Sequence, residues 1–410
     1  MRFDRAVDGV AVVDGADGAA RQSGPAKRSG GLSFVALRVD SGLALAFLAL
    51  SSCGSPASVA EKHPVSAARL HSVAASDTLR LEHEQSAVVS AADEVLKDLR
   101  SAARVVRIGA LNSPPEAVFG SIDDAALFHD GRVMVLDGQA QELRVFNENG
   151  GAIQVLGAAG EGPAEFSHPR AIGFADEGQL FVFEAVGEAT LFQTGRDSLR
   201  FSRFARFDGD LFDACILDDH IYVYGMRPGR TSVIHAYSLD GASIRSFAEG
   251  YRRGNRVIQR QLSRGLIACV EKARIVLVAP FALPVVRAYS LSGDLLWWIE
   301  LKDFLPVEIT ETPTGGSLLR FPEPGHHVTA TLVPSNDGAA AVLQVAFVAA
   351  QRRSETAGFS TLQTFVICPG RRTGMYAGDQ WPRILEWSST HLITTRDRPY
   401  PELTVFRLDE

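Results

Sequence analysis

The sequence predicts an all-β protein, a six-bladed β-propeller with four-stranded blades. Three observations carry this. First, an aromatic residue recurs at the end of an apolar run just before a turn: LRVFNENG (Phe146), TLFQTG (Phe192), HAYSLDG (Tyr237), RAYSLSG (Tyr289), QTFVICPG (Phe365) and LTVFRLDE (Phe406). The steps between them are 46, 45, 52, 76 and 41 residues, one blade each apart from the fourth, which carries an insertion at 302–327. Second, each of the first four units has an upstream anchor of small residue, apolar pair, polar turn and alternating strand: ALFHDGRVMVLDG, GFADEGQLFVFEA, CILDDHIYVYG and CVEKARIVLVA. Third, the ends are complementary. The sixth unit stops after LTVFRLDE without a fourth strand, and ARVVRIG (Ala103–Gly109) precedes the first unit as a fourth strand without a unit of its own.

Taken in order, each unit begins with an inner strand, and its second strand follows a polar turn, with starts near Val133, Leu180, Ile221 and Ile275. The third strand ends on the aromatic anchor. AIQVLG, SLRFSRF, ASIRSF and DLLWWIEL then supply the fourth. Joining Ala103–Gly109 to the last unit closes the ring with an N-terminal strand and leaves no open sheet end between the first and last blades. Seven blades, with 302–327 as an extra, and a β-sandwich are the competing architectures. Trp297 and Trp298 alternate on the fourth strand of unit four and point to opposite faces, both expected in the core. GEGPAEFSHP (Gly160–Pro169) falls between the fourth strand of unit one and the first strand of unit two. It is read as a turn whose glycines allow positive φ. No Lys-Ser/Thr and no helical pattern follow it, which excludes a phosphate loop and a dinucleotide fingerprint.

GAAGEGPAEFSHPRAIGF followed by GQLFVFE resembles the blade junctions of NHL-type, TolB-like six-bladed propellers. LQTFVICPGRRTGMYAG and PYPELTVFRLD resemble the last blades of bacterial 6-bladed β-propeller lipoproteins. The resemblance spans roughly 103–410, best in units one and two and least in unit five.

The chain has 410 residues, 46% of them hydrophobic, and a net charge of −7 without a basic cluster, which disfavours nucleic acid as a partner. GLALAFLALSSC (Gly42–Cys53) contains an apolar run of leader length, too short to span a bilayer, with Lys27, Arg28 and Arg38 upstream. It ends in Leu50-Ser51-Ser52-Cys53, which resembles the bacterial lipobox and makes Cys53 the lipidation site. Residues 1–52 are thus expected to be a signal peptide, with a start near Leu32 or Val35 giving a more ordinary leader than Met1. Residues 53–101 are expected to be a lipidated tether, with a short amphipathic helix over 91–99, and 102–410 the propeller. Gly54 after the cysteine favours the outer membrane by the same resemblance. The expected location is the cell envelope, lipid-anchored, at the periplasmic face of the outer membrane or the cell surface.

The four cysteines form no CxxC and no zinc pattern. Cys215 and Cys269 occupy the same position in successive units, where Ala126 and Gly173 stand in units one and two. They are expected to fill a crowded inner strand. An oxidising periplasm would permit a disulfide between them, but equivalent positions point the same way around a ring, which argues against pairing.

No catalytic motif is present, and no catalytic residue is assigned. The candidate ligand site is the set of polar residues at the starts of the inner strands, which line the central channel: Asp123, Asp124, Arg170, Asp213, Arg264, His327 and Arg383, with His168 and His326 beside them. The expected role is a binding module for a peptide, a glycan or another envelope protein, without an assigned cofactor. The rival is a metal-dependent hydrolase or lyase. Gluconolactonase- and paraoxonase-type propellers hold a divalent cation in the channel, which would fall to Asp123, Asp124 and Asp213. Amidating-lyase-type propellers hold zinc, which would fall to His168 and His327.

Overall fold

The computed structural model describes residues 62–64, 78–81 and 103–408, apart from 176–177, 196–197, 312–315, 324, 336–337, 350–358, 380 and 389. The leader, Cys53 and the helix expected at 91–99 lie outside the described residues. Three strands precede the first blade: β1 (Lys62–Pro64), β2 (Thr78–Leu81) and β3 (Ala103–Ile108). Blade 1 is β4 (Ile122–Leu127), β5 (Val133–Asp137), β6 (Glu142–Phe146) and β7 (Ala152–Leu156). Blade 2 is β8 (Pro169–Ala175), β9 (Gln179–Glu184), β10 (Glu188–Thr194) and β11 (Leu199–Arg206). Blade 3 is β12 (Asp210–Leu217), β13 (His220–Met226), β14 (Ser232–Ser238) and β15 (Ser243–Glu249). A helix, α1 (Arg256–Ser263), leads into blade 4: β16 (Gly265–Val270), β17 (Ile275–Pro280), β18 (Val285–Ser290) and β19 (Leu295–Leu301). After a hairpin, β20 (Glu308–Glu311) and β21 (Ser317–Arg320), blade 5 is β22 (Gly325–Pro334), β23 (Ala341–Ala349), β24 (Phe359–Cys368) and β25 (Thr373–Gly378). Blade 6 is β26 (Arg383–Trp387), β27 (His391–Arg396) and β28 (Glu402–Arg407), completed by β3.

Ring closure is by the N-terminal strand: β3 pairs antiparallel with β28, Leu403 opposite Ile108. The six inner strands contact one another in order, and β26 returns to β4. Six blades are therefore observed, and the insertion is shorter than expected, because Gly325–His327 already open the inner strand of blade 5. Its hairpin pairs with β1 in a separate three-stranded sheet. Within the segment expected to be a tether, β2 lies parallel to β19 as a fifth strand of blade 4.

The aromatic repeat has a physical basis. Phe146, Phe192, Tyr237, Tyr289, Phe365 and Phe406 each pack into the seam with the preceding blade. Opposite each one, the outer strand bulges, leaving Ile153, Ser202, Ile244, Leu296, Ala377 and Val105 without a pairing partner. A bulge strengthens local twist and bends the strand, so the outer edge coils as the ring requires. The core is accordingly divided into six layers between blades. Trp297 is fully buried between blades 4 and 5, and Trp298 packs under α1 and the inserted hairpin, on opposite faces as expected.

The loop Gly160–Pro169 does turn between blades, but not by positive φ at its glycines. The left-handed residues are Gly157 (φ 89°) and Ala164 (φ 60°). Gly160 and Gly162 instead leave room for the Glu165 carboxylate, which folds back to accept the Gly162 N–H at 2.8 Å and which a Cβ at either glycine would displace.

The two inner-strand cysteines are joined. Cys215 and Cys269 form a disulfide between blades 3 and 4, with Cα atoms 5.7 Å apart. The expectation of unpaired thiols is corrected. Inner strands converge at the axis, so equivalent Cα atoms come within bridging distance, and a short side chain can reach sideways along the ring.

Candidate functional site

The inner strands begin at one mouth of the channel. Five of them carry a bulge, at Asp123, Arg170, Phe212, Leu385 and, further along its strand, Ala330. The bulge re-aims these side chains relative to the regular pleat. Asp123 and Arg170 are themselves bulge residues; Asp123, Arg170, Asp213, Arg264, His326 and Arg383 come one from each blade, and each keeps less than a tenth of its surface exposed. Basic residues stand in blades 2, 4 and 6, carboxylates in blades 1 and 3, and an imidazole pair in blade 5.

Asp123 accepts a hydrogen bond from Ser121 Oγ at 3.0 Å and lies against Gly138, where any Cβ would meet its carboxylate. Arg383 reaches across the seam between blades 6 and 1, donating to the Ile122 and Asp123 carbonyls at 3.4 and 3.0 Å. Arg264 follows α1 directly and sits over the Phe212 ring at 6.0 Å. Burial, with repulsion from Arg260 second, lowers its pKa to about 10. His326 lies tilted against Phe321, ring centroids 4.8 Å apart, and burial with the neighbouring His327 lowers its pKa to about 4. His168 is exposed on the connection into blade 2.

Several candidates fasten one blade to the next. Asp124 accepts the Ile172 N–H of blade 2 at 2.8 Å, and Asp213 accepts the Ile267 N–H of blade 4 at 3.0 Å. Gln344 does the same from blade 5, accepting the Ile384 N–H at 2.8 Å. Glu386 closes the circle by accepting the Leu127 N–H of blade 1. Burial, with the Asp124 charge adding to it, raises the Glu386 pKa to about 8. His327 accepts the Leu305 N–H through Nδ1 at 2.8 Å and packs between Phe304 and Phe347.

Sequence reasoning missed four features of this region. Asp137 is fully buried and gathers the Gly120, Ser121, Gln139 and Ala140 N–H groups beside Asp123. Glu184 takes the equivalent place in blade 2, accepting the Ser167 N–H at 2.7 Å, and burial raises its pKa. Helix α1 stands at the mouth, tied to the start of β12 by an Arg260–Asp210 ion pair at 2.6 Å. Its signal was readable: Asn255 caps the Ile258 N–H at 3.0 Å, and Ile258 and Leu262 fall one turn apart on the buried face. At the other mouth, a cleft of about 570 Å³ between blades 1 and 2 is lined by Phe128, Arg132 and Phe174 among others.

The donor set does not fit a resident metal. Among the described residues, no three His, Cys, Asp or Glu side chains come together as a cation site. Asp124, Asp213 and His327, all proposed ligands, are engaged with backbone N–H groups instead.

The chain is a six-bladed β-propeller, and a family model described as a 6-bladed beta-propeller matches residues 80–242, from within β2 to the third strand of blade 3 and the turn after it. Among solved structures, it is similar to a Bacteroides fragilis protein described as exported, at 9% identity over 76% of this chain and 95% of the other, TM-score 0.48. It is also similar to a member of the duf4221 family from Bacteroides vulgatus, at 8% identity over 70% and 92%, TM-score 0.47. The β-propeller domain of Cps50 (Swd1) from Myceliophteria thermophila aligns at 6% identity over 70% and 96%, TM-score 0.40. No curated protein matches the chain.

Proposed function

We propose that this propeller is a binding module of the cell envelope, held to a membrane through lipid on Cys53, whose channel mouth recognises a peptide, a glycan or a loop of another envelope protein. The NHL-type, TolB-like resemblance supports the same reading. The observation that carries it is that each of the six blades places a largely buried charged or imidazole side chain in, or next to, the first half of its inner strand. Both signs of charge are present there, which suits a ligand that presents both, such as a peptide. The side chains are held by burial, and Asp213 and Arg383 also by hydrogen bonds to a neighbouring blade, so little ordering cost remains to be met on binding.

The rival metal-dependent hydrolase or lyase has less support, because its ligand carboxylates and His327 are engaged elsewhere. The test is an array of immobilised peptides and glycans probed with the labelled full chain and with Arg170→Ala, Arg264→Ala and Arg383→Ala. A ligand whose affinity falls at least tenfold in one of these folded variants supports the reading. Binding that ignores all three refutes it. Lipid attachment is checked separately by palmitate labelling of the chain and of Cys53→Ser in a Gram-negative host.

A further inference from the structure

The outer strand of blade 2, β11, differs from its five counterparts. It reads LRFSRFAR and carries Arg200, Arg203 and Arg206 without one acidic residue, in a chain of net charge −7. The other outer strands read AIQVL, SIRSFAE, LLWWIEL, TGMYAG and ARVVRI, none with more than two basic residues or an exposed aromatic pair. Phe201 and Phe204 are each 39% exposed, with ring centroids 5.0 Å apart. Three residues apart, they would ordinarily face opposite ways. The bulge at Ser202 shifts the phase by one and puts both on the same face.

Cross-strand partners share a face, so the pairing gives the layout. Phe201 and Phe204 pair with Phe192 and Thr190 and project toward blade 1. Arg200 and Arg203 pair with Gln193 and Leu191 and project toward blade 3, where Arg203 donates to the Leu239 carbonyl at 2.9 Å. Arg206 remains on the exposed rim, paired with Glu188 at 2.9 Å. The strand is the free edge of its sheet. The equivalent edge of blade 4 shows what such an edge accepts: there Thr78–Leu81 adds a parallel fifth strand opposite Trp298–Leu301.

We propose that the β11 edge docks an extended acidic segment of a partner protein, added as a fifth strand to blade 2. Apolar side chains would alternate with acidic ones, the first against Phe201 and Phe204 and the second toward Arg200 and Arg203. Backbone pairing supplies affinity and the two faces supply specificity. A second copy of this chain is a poor occupant, since self-pairing sets arginine against arginine. A membrane surface is a poor one as well. The N-terminal strands join the molecule at blade 4 and at the hairpin after it, so an anchor pulls from there and not from blade 2. The proposal is independent of the channel mouth.

The probe is a fluorescein-labelled octapeptide alternating Glu and Val, titrated with the full chain and followed by anisotropy. Controls are a Lys/Val octapeptide and a block peptide of four Glu then four Val. Saturable binding of the alternating peptide is expected, weakened at least tenfold by Arg200→Glu with Arg203→Glu, and separately by Phe201→Ser with Phe204→Ser. All four residues are exposed, so the variants should retain the wild-type melting profile. Three results each overturn the proposal: no saturable binding at millimolar peptide, equal affinity for the block peptide, or variants that bind like the wild type. Anionic phospholipid vesicles are tested in parallel. Vesicle binding lost in the same variants, without peptide binding, also overturns it and assigns the edge to a membrane.

Discussion

The junction between the last and first blades rests on a carboxyl group that is neutral in the folded protein at ordinary pH. Glu386 accepts the Leu127 N–H across that junction, and burial raises its pKa from 4.5 to about 8. The sign follows directly. Between these two values the folded state holds a proton that the unfolded state has released, so stability falls as pH rises through that window. At about 1.4 kcal/mol per pKa unit, the full shift corresponds to about 5 kcal/mol. Glu386 keeps partial solvent exposure, so that figure is an upper bound. Glu386→Gln retains an acceptor for the Leu127 N–H and cannot ionise. Urea unfolding of both proteins is measured from pH 5 to pH 9. The variant should gain on the wild type by several kcal/mol across that range, with most of the change below pH 8. Titrating groups that do not act on Glu386 are common to both proteins and cancel in the difference. A difference that stays flat with pH, or a variant that loses ground as pH rises, would refute the reasoning.

Three further outcomes follow from the same geometry. The disulfide closes a sequence separation of 54 residues, worth about 4 kcal/mol in the chain-entropy treatment, so Cys215→Ala with Cys269→Ala should lower urea stability by roughly 2–4 kcal/mol. A dithiothreitol-treated wild type should match that variant. Asp213→Ala removes the acceptor for both the Ala214 and Ile267 N–H groups and should destabilise by about 2–4 kcal/mol, with faster amide exchange at Ile267 than in the wild type. Trp297→Ala empties the layer between blades 4 and 5 and should lose about 3–5 kcal/mol in the same unfolding assay. The comparison for the last case is Trp298→Ala, which opens the packing under α1 and should expose that helix to proteolysis.

Much of the fold was legible because the repeat unit is built from local rules. The aromatic anchors could be found by eye because each must fill a seam of the same size. The second strands start within one residue of the expected positions, since polar turns and alternation are short-range features. Glycine chemistry was less legible. Positive φ at Gly160 was the ordinary expectation, and the actual reason, a returning Glu165 carboxylate, depends on a side chain whose path the sequence does not state. Helix α1 carried a readable cap and an apolar pair, but it lies in a connection that the repeat pattern leaves undefined.

The candidate site divides in the same way. The sequence by itself determined the repeat, and from it the six blades and the closure through Ala103–Ile108, because these follow from period and strand order. Only the tertiary structure decided what the candidate site residues hold. Asp124, Asp213 and Glu386 serve backbone N–H groups of the next blade, and Cys215 meets Cys269, because adjacent inner strands approach closely at the axis. The physical reason is distance: a repeat fixes which residues are equivalent, whereas the separation between equivalent residues on neighbouring blades is set only when all six blades close the ring.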